Sequence, residues 1–300
     1  MESAATETVE NKMLGWRLRI GAFVELTKPR IAFMLILTSA AGFYLGTTGS
    51  FDFPLFFNAM IGIGILAFGV ATLNQYIERD TDALMDRTKD RPIPSQRLTP
   101  VEGLVFGVTQ CLVAEIYLYF LVNPLTAALG LSVIVGYVFL YTPLKTKTSA
   151  STAIGAIPGA MPPLMGWTAS AGEMTVGAWA LFLLLFLWQF PHFLAIAWMY
   201  REQYAKAGIL MLPVVEPSGR ITARQIVLFS IMLVPVSLAP FFLGFAGVAY
   251  LVGAILLGLW FLYQSIRTAR AKTTTEARRL LMVSVMYLPL IFGLLVIDHL

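Results

Sequence analysis

Asn74, Glu78 and Asp82 stand four residues apart, at the polar end of an apolar run that carries no charge between Asp52 and Glu78. If that run is a helix and continues through them, about 100° per residue puts the three side chains within an arc of roughly 80° and along roughly 12 Å of one face. Three oxygen-bearing side chains so arranged suit a hard divalent cation, which prefers oxygen ligands. The stretch from Asn74 to Pro92 also packs five carboxylates and four cations together, so it reads equally as a solvated cap on a membrane helix. The choice depends on what else shares its side of the chain.

The elements that must position these residues are membrane spans. Hydrophobic residues make up 58% of the 300-residue chain and charged residues 13%, with a mean hydropathy of +0.76. A soluble domain carries about twice that charged share. Several apolar runs reach the roughly 20 residues needed to cross a bilayer as a helix, and the short alternating strands of a β-barrel are not seen. The single cysteine, Cys111, lies inside an apolar run and reads as a small buried side chain. Residues 1–20 are expected to be a mobile cytoplasmic tail, because Glu2, Glu7 and Glu10 precede Lys12 and fit neither a cleavable signal nor an Arg-rich transit peptide. Residues 21–300 then form one transmembrane domain.

Nine spans are expected, near residues 31–46, 55–76, 101–122, 125–141, 152–171, 176–199, 225–242, 244–263 and 280–297. The fifth holds Gly155, Pro158, Gly159, Pro162, Pro163 and Gly166. It must break or kink, so it belongs inside protein or beside a cavity. With this count all 21 lysines and arginines fall on one side of the membrane. The positive-inside rule makes that side cytoplasmic and the C-terminus external. The acidic stretch, the loop with Lys145 and Lys147, and the loop with Arg201 and Glu202 all share it. Carboxylates for Mg²⁺, cations for phosphate oxygens and apolar spans for a lipid tail are what a magnesium prenyl diphosphate requires.

Several blocks carry a more specific resemblance. Asn74-x3-Glu78-x3-Asp82 resembles the first acidic motif of the intramembrane (UbiA-type) prenyltransferase superfamily, typified by 4-hydroxybenzoate polyprenyltransferase. Met85-x-Arg87-Thr88-x-x-Arg91-Pro92, Tyr141-Thr142-Pro143-Leu144-Lys145-x-Lys147-Thr148 and Gly155-x3-Gly159-Ala160-x-Pro162-Pro163-x-x-Gly166-Trp167 resemble its protohaem IX farnesyltransferase (haem O synthase) branch. So do Trp188-Gln189-x-Pro191-His192-Phe193, Tyr204-Ala205-x-Ala207-Gly208 and Met211-Leu212-Pro213-Val214. The resemblance runs from about Pro29 to the last span.

It implies an all-α membrane protein with nine helices around a central cavity, in the cell inner membrane, with the active site on the cytoplasmic side. The implied reaction is transfer of farnesyl from farnesyl diphosphate to a vinyl group of haem B, with Mg²⁺ as cofactor. By analogy Asn74, Glu78 and Asp82 hold Mg²⁺. Arg87, Arg91, Lys145, Lys147 and Arg201 bind diphosphate, and Tyr141 donates to the same oxygens. His192, Trp188 and Trp167 are candidates for the haem pocket; aromatic residues at a membrane interface are the other reading of the tryptophans.

One position departs from the branch. Where a second acidic motif is expected, the chain reads Glu202-Gln203-Tyr204. Glu202 is the candidate metal ligand there, and Glu202→Gln is expected to cost more activity than Gln203→Ala. The expected partners are haem B, farnesyl diphosphate, membrane lipid and a downstream haem-modifying enzyme or terminal oxidase; no nucleic acid is expected. Two other classes fit the composition: a polyprenyltransferase with an aromatic or other tetrapyrrole acceptor, and a transporter, whose broken helices are similar. No second copy of the acidic stretch marks the repeat that a transporter commonly shows.

Overall fold

The helix that carries the acidic stretch begins at Asp52, whose carboxylate accepts the Leu55 N–H at 2.9 Å, with Pro54 in the first turn. It runs unbroken over Phe53–Asp82, 30 residues (α3), or about 45 Å at 1.5 Å per residue. That exceeds the roughly 30 Å of bilayer hydrocarbon, so the last turns, with Asn74, Glu78 and Asp82, stand at one end of the bundle. The helical continuation on which the shared face depends is therefore present.

A computed structural model describes residues 15–300. Of the expected tail, residues 1–14 lie outside the described residues, and 15–20 belong to a helix over 15–26 (α1). Further helices are α2 (Pro29–Gly46), α4 (Pro100–Leu121), α5 (Pro124–Ile134), α6 (Thr142–Leu144), α7 (Ser151–Gly159), α8 (Met161–Ala171) and α9 (Val176–Met199). Two short helices follow, α10 (Arg201–Lys206) and α11 (Leu212–Val215), then α12 (Arg220–Phe242), α13 (Val248–Ala271) and α14 (Thr274–Ile297). Among the described residues there is no strand, and eight helices are long and apolar enough to cross a membrane.

The expected fifth span is not one of those eight. It is α7 and α8, 9 and 11 residues long, which meet at Ala160. Pro158, Pro162 and Pro163 remove the N–H donors that a continuous helix would need. The break is kept inside protein: residues Pro162–Ala169 are all buried, and α8 lies flat against α2. A Cβ on Gly166 would collide with the Ser39 carbonyl, and one on Gly42 with that of Pro163, so glycine at both positions permits the close approach. The last three spans run further than expected at their polar ends: α12 and α14 start earlier, α14 capped by Thr273, and α13 continues to Ala271 through charged residues.

Between α5 and α6 the chain widens into a π-helical segment, Val135–Tyr141. In a regular α-helix the ring of Pro143 would press on the carbonyl four residues back, and a widened turn relieves this. The segment directs Tyr141 onto Gly155, where a Cβ would overlap its ring.

Two apolar clusters fill the bundle. One joins α9 and α12–α14 to α2 and α8; the other joins α3, α4 and α5 to the same pair. Two small clusters cover the end that holds the acidic stretch. Ile93 and Leu98 of the α3–α4 loop pack on Ala22 and Leu26 of α1. Met85 of the same loop packs on Ala197, Tyr204, Ala207, Ile209 and Met211. The α3–α4 loop is thus held between α1 and the α9–α12 connection, directly above the acidic face.

Candidate active site

Each of the three oxygen-bearing side chains on α3 is held by a cation from a different element. Lys28, between α1 and α2, donates from Nζ to Asn74 Oδ1 at 2.8 Å. Lys145, just after α6, donates to Glu78 Oε1 at 2.5 Å. Arg91 in the α3–α4 loop donates from Nη1 to Asp82 Oδ2 at 2.5 Å. Asn74 and Asp82 are each 1% exposed, and the Lys145 and Glu78 side chains are 13% and 12% exposed. Buried charges persist only when paired, and here three cations face two carboxylates and one amide.

The supporting groups fix each partner. Asn74 Nδ2 donates to Thr142 Oγ1 at 3.2 Å, whose own proton goes to the Tyr137 carbonyl at 2.8 Å. This turns the amide oxygen toward Lys28. The Lys145 ammonium lies 4.3 Å from the centroid of the Tyr141 ring, so Tyr141 meets it with the ring face, a cation–π contact. Thr88 Oγ1 donates to the Asp82 carbonyl at 2.9 Å and ties the loop to the helix end.

Two of the cations differ in their hold on the proton. Burial works against the charge on Lys145, but Glu78 above all, with Tyr141 and Tyr137, outweighs it and holds the ammonium well above its ordinary range. For Lys28 burial wins: with Arg91 and Lys145 nearby, its pKa is pulled down to about 7. Lys28 also has left-handed backbone, φ 49°, which costs a non-glycine residue about 1–3 kcal/mol and collects at functional positions.

Of the other expected residues, some come to this site and some do not. Arg87 sits at its rim, with its guanidinium 5.1 Å from the Tyr200 ring centroid and Nη2 3.4 Å from Tyr204 Oη. Arg201 turns to Trp198, donating to its carbonyl at 3.0 Å and covering its ring at 5.0 Å. Lys147 is exposed. Glu202, the expected second metal ligand, is 85% exposed and reaches only Arg201, at 3.8 Å. The neighbouring Gln203 does the inward work: its Oε1 accepts the Arg87 backbone N–H at 3.2 Å. Among the described residues no group of three or more His, Cys, Asp or Glu side chains converges on one point.

His192 and Trp188 lie on α9 within a few turns of its same end, stacked with ring centroids 4.7 Å apart. Trp167 does not join them. It lies near the far end of α8, packed on Gly46, Gly177 and Phe245, at the opposite end of the bundle from Glu78 and Lys145, where it fills space. Lys28, Thr142 and the inward role of Gln203 were not anticipated. A lysine directly before the proline that opens a span was the only signal for Lys28.

The donor set fits a hard divalent cation: two carboxylates and an amide oxygen, buried, on one helix face. The basic side chains gathered around it, with Arg87 at the rim, suit a polyanion beside it. The comparisons agree. Residues 35–289 match the profile of the UbiA prenyltransferase family, and the chain belongs to that family. Protoheme IX farnesyltransferase of Solibacter usitatus is 49% identical over 286 residues, covering 92% of this chain and 98% of the relative. The protein of that name from Koribacter versatilis is 43% identical over 288 residues, covering 92% and 93%. Among solved structures, digeranylgeranylglyceryl phosphate synthase matches with a TM-score of 0.78 at 14% identity, covering 93% of this chain and 98% of the other. A UbiA homologue from Archaeoglobus fulgidus bound to GPP and Mg²⁺ matches with a TM-score of 0.65 at 14% identity, covering 91% and 99%. The fold is therefore that of an intramembrane prenyltransferase, and the chain is an enzyme of that class.

Proposed function

We propose that the protein transfers the farnesyl group of farnesyl diphosphate to a vinyl group of haem B. The C–O bond of the farnesyl diphosphate breaks and the diphosphate leaves. The terminal vinyl carbon bonds to the farnesyl carbon, and water adds to the inner carbon, releasing one proton. The product is a hydroxyethylfarnesyl haem. The observation that carries the reading is the three-to-three pairing of Asn74, Glu78 and Asp82 with Lys28, Lys145 and Arg91, in a chain 49% identical to a protoheme IX farnesyltransferase.

Mg²⁺ held by Asn74, Glu78 and Asp82 would neutralise charge that develops on the leaving diphosphate. The chain's own cations do the rest. They hold the motif oxygens, and a bound diphosphate would draw Lys28, Lys145 and Arg91 to its own oxygens and release the carboxylates. An exchange in which each cation trades one oxygen partner for another strands no buried charge. Arg87 at the rim is the further phosphate contact, held by Gln203. His192 and Trp188 are assigned to the haem side.

The same reading counts α7 and α8 together as one crossing, which gives nine, with the N-terminus and the active site cytoplasmic and the C-terminus outside. The confinement of all 21 lysines and arginines to one side supports it. Residues 21–300 then make one transmembrane domain in the cell inner membrane. Purified protein in detergent, given haem B, farnesyl diphosphate and Mg²⁺, should form a more hydrophobic haem, and EDTA should stop it. Haem recovered unchanged in the presence of Mg²⁺ would refute the proposal.

A further inference from the structure

His192 is one of two histidines in the chain, and its ring is fixed from behind by a single residue of α14. Its Nδ1 lies 2.8 Å from Ser284 Oγ. The serine hydroxyl has one proton, and 2.6 Å separates its oxygen from the Leu281 carbonyl. Two oxygens that close need the proton between them, and the carbonyl has none to give. Ser284 therefore accepts from His192, and the imidazole proton sits on Nδ1.

Ser284 also holds the ring's other neighbour. Its backbone carbonyl accepts the Trp188 indole N–H at 2.9 Å. The Trp188 ring lies almost parallel to His192, with 23° between the planes. One residue thus sets both the tautomer and the tilt of the imidazole. Nε2 is left with its lone pair and has no hydrogen-bond partner among the described residues.

His192 is seven residues from the polar end of α9, about 10 Å, and Asn74 is eight from that of α3, about 12 Å. Met85, just past the end of α3, packs on Ala197 and Tyr204, so these two ends are neighbours. The bare nitrogen and the acidic face therefore lie at similar depth. His299 is at the other end of the bundle, bonded through Nδ1 to the Phe245 carbonyl at 2.8 Å.

We infer that His192 Nε2 is the ligand through which the protein grips the iron of its haem substrate, and that Ser284 is the positioning residue that keeps it ready. The inference rests on the farnesyl-to-haem reading above. A neutral imidazole whose far N–H is hydrogen-bonded is the usual form of a metal-ligating histidine. The bond behind the ring fixes its orientation and raises its basicity. Coordination at Nε2 would hold the porphyrin on the side of the His192 ring turned away from Ser284.

The test uses detergent-solubilised full-length protein and haem B. In a His299→Asn background a single imidazole remains for ¹⁵N NMR. Ligand-free protein should show Nδ1 protonated and Nε2 bare, Ser284→Ala should mix the tautomers, and Ser284→Thr should restore the single form. With ferric haem B the parent should give an imidazole-ligated optical spectrum that His192→Ala abolishes. Ser284→Ala should weaken haem affinity about tenfold or more, and Ser284→Thr should recover it. An unchanged spectrum in His192→Ala overturns the inference, as do an unchanged tautomer and affinity in Ser284→Ala. A parent protein that shows imidazole-ligated haem but never farnesylates it would instead refute the proposed reaction, so the two failures are distinct.

Discussion

Lys145 and Glu78 should be strongly coupled in the ligand-free protein, and the coupling can be measured without turnover. Their polar atoms are 2.5 Å apart, and both side chains are nearly nine-tenths buried. Lys145→Met leaves Glu78 as a buried carboxylate without its cation; Glu78→Gln leaves a buried ammonium with only the Tyr141 ring. Breaking a buried pair from one side costs about 3–5 kcal/mol, whereas replacing both partners with neutral side chains of similar size is close to neutral. The double variant should therefore be about as stable as the parent, with an interaction energy of about 6 kcal/mol or more from the cycle. Thermal or denaturant unfolding of all four proteins in one detergent gives the numbers. The raised pKa of Lys145 means the lysine's contribution is fully present below the ordinary lysine range and is lost only as pH climbs through the raised value. The penalty in Lys145→Met should thus not vary between about pH 6 and 9 on the lysine's account. Single-variant losses that simply add, within about 0.5 kcal/mol, would refute the reasoning. All three variants should lack prenyl transfer, so activity alone could not reveal the coupling.

Three further outcomes are expected. Lys28, pulled to about 7 by burial and by Arg91 and Lys145, is largely neutral at pH 8 in the ligand-free site. Its depressed value makes ligand-free stability rise with pH from about 7 toward the ordinary lysine value, because only the unfolded chain then keeps the proton. Binding of a diphosphate should recharge it, so calorimetry at pH 8 in buffers of different ionisation enthalpy should show proton uptake that Lys28→Arg removes. Because the three cations occupy the motif oxygens, Mn²⁺ followed by paramagnetic resonance should bind at least about tenfold more tightly, or about 1.4 kcal/mol, once a non-reactive farnesyl thiodiphosphate is present. Equal affinity would count against the exchange. Gln203→Ala should raise the KM for farnesyl diphosphate about fivefold, the worth of about 1 kcal/mol for one hydrogen bond, by freeing the Arg87 backbone. Exposed Glu202→Gln should change it less than twofold, the reverse of the order expected from the motif alone.

The sequence carried the acidic face because its information is local: one helix, a period of 3.6, and three residues four apart. The broken fifth span was legible for the same reason, since three prolines within six residues cannot share a continuous helix. Partners from distant segments were not legible. Lys28 reaches Asn74 across 46 positions, and Ser284 reaches His192 across 92; no spacing rule predicts either. Glu202 and Gln203 are adjacent on a short helix, so about 100° of rotation separates them. Packing of Tyr204 and Ala207 against Met85 decides which one faces the α3–α4 loop. Trp167 shows the converse failure, because its block of residues belongs to the fold while its position belongs to the far end of the bundle.

Turnover in ¹⁸O-labelled water, read by mass spectrometry of the extracted haem, tests the farnesyl transfer most directly. Haem B should gain one farnesyl group and one hydroxyl, with the label in that hydroxyl, in the presence of Mg²⁺ and not in the Glu78→Gln variant. Unmodified haem, a farnesylated haem without the labelled oxygen, or full product from Glu78→Gln would contradict it.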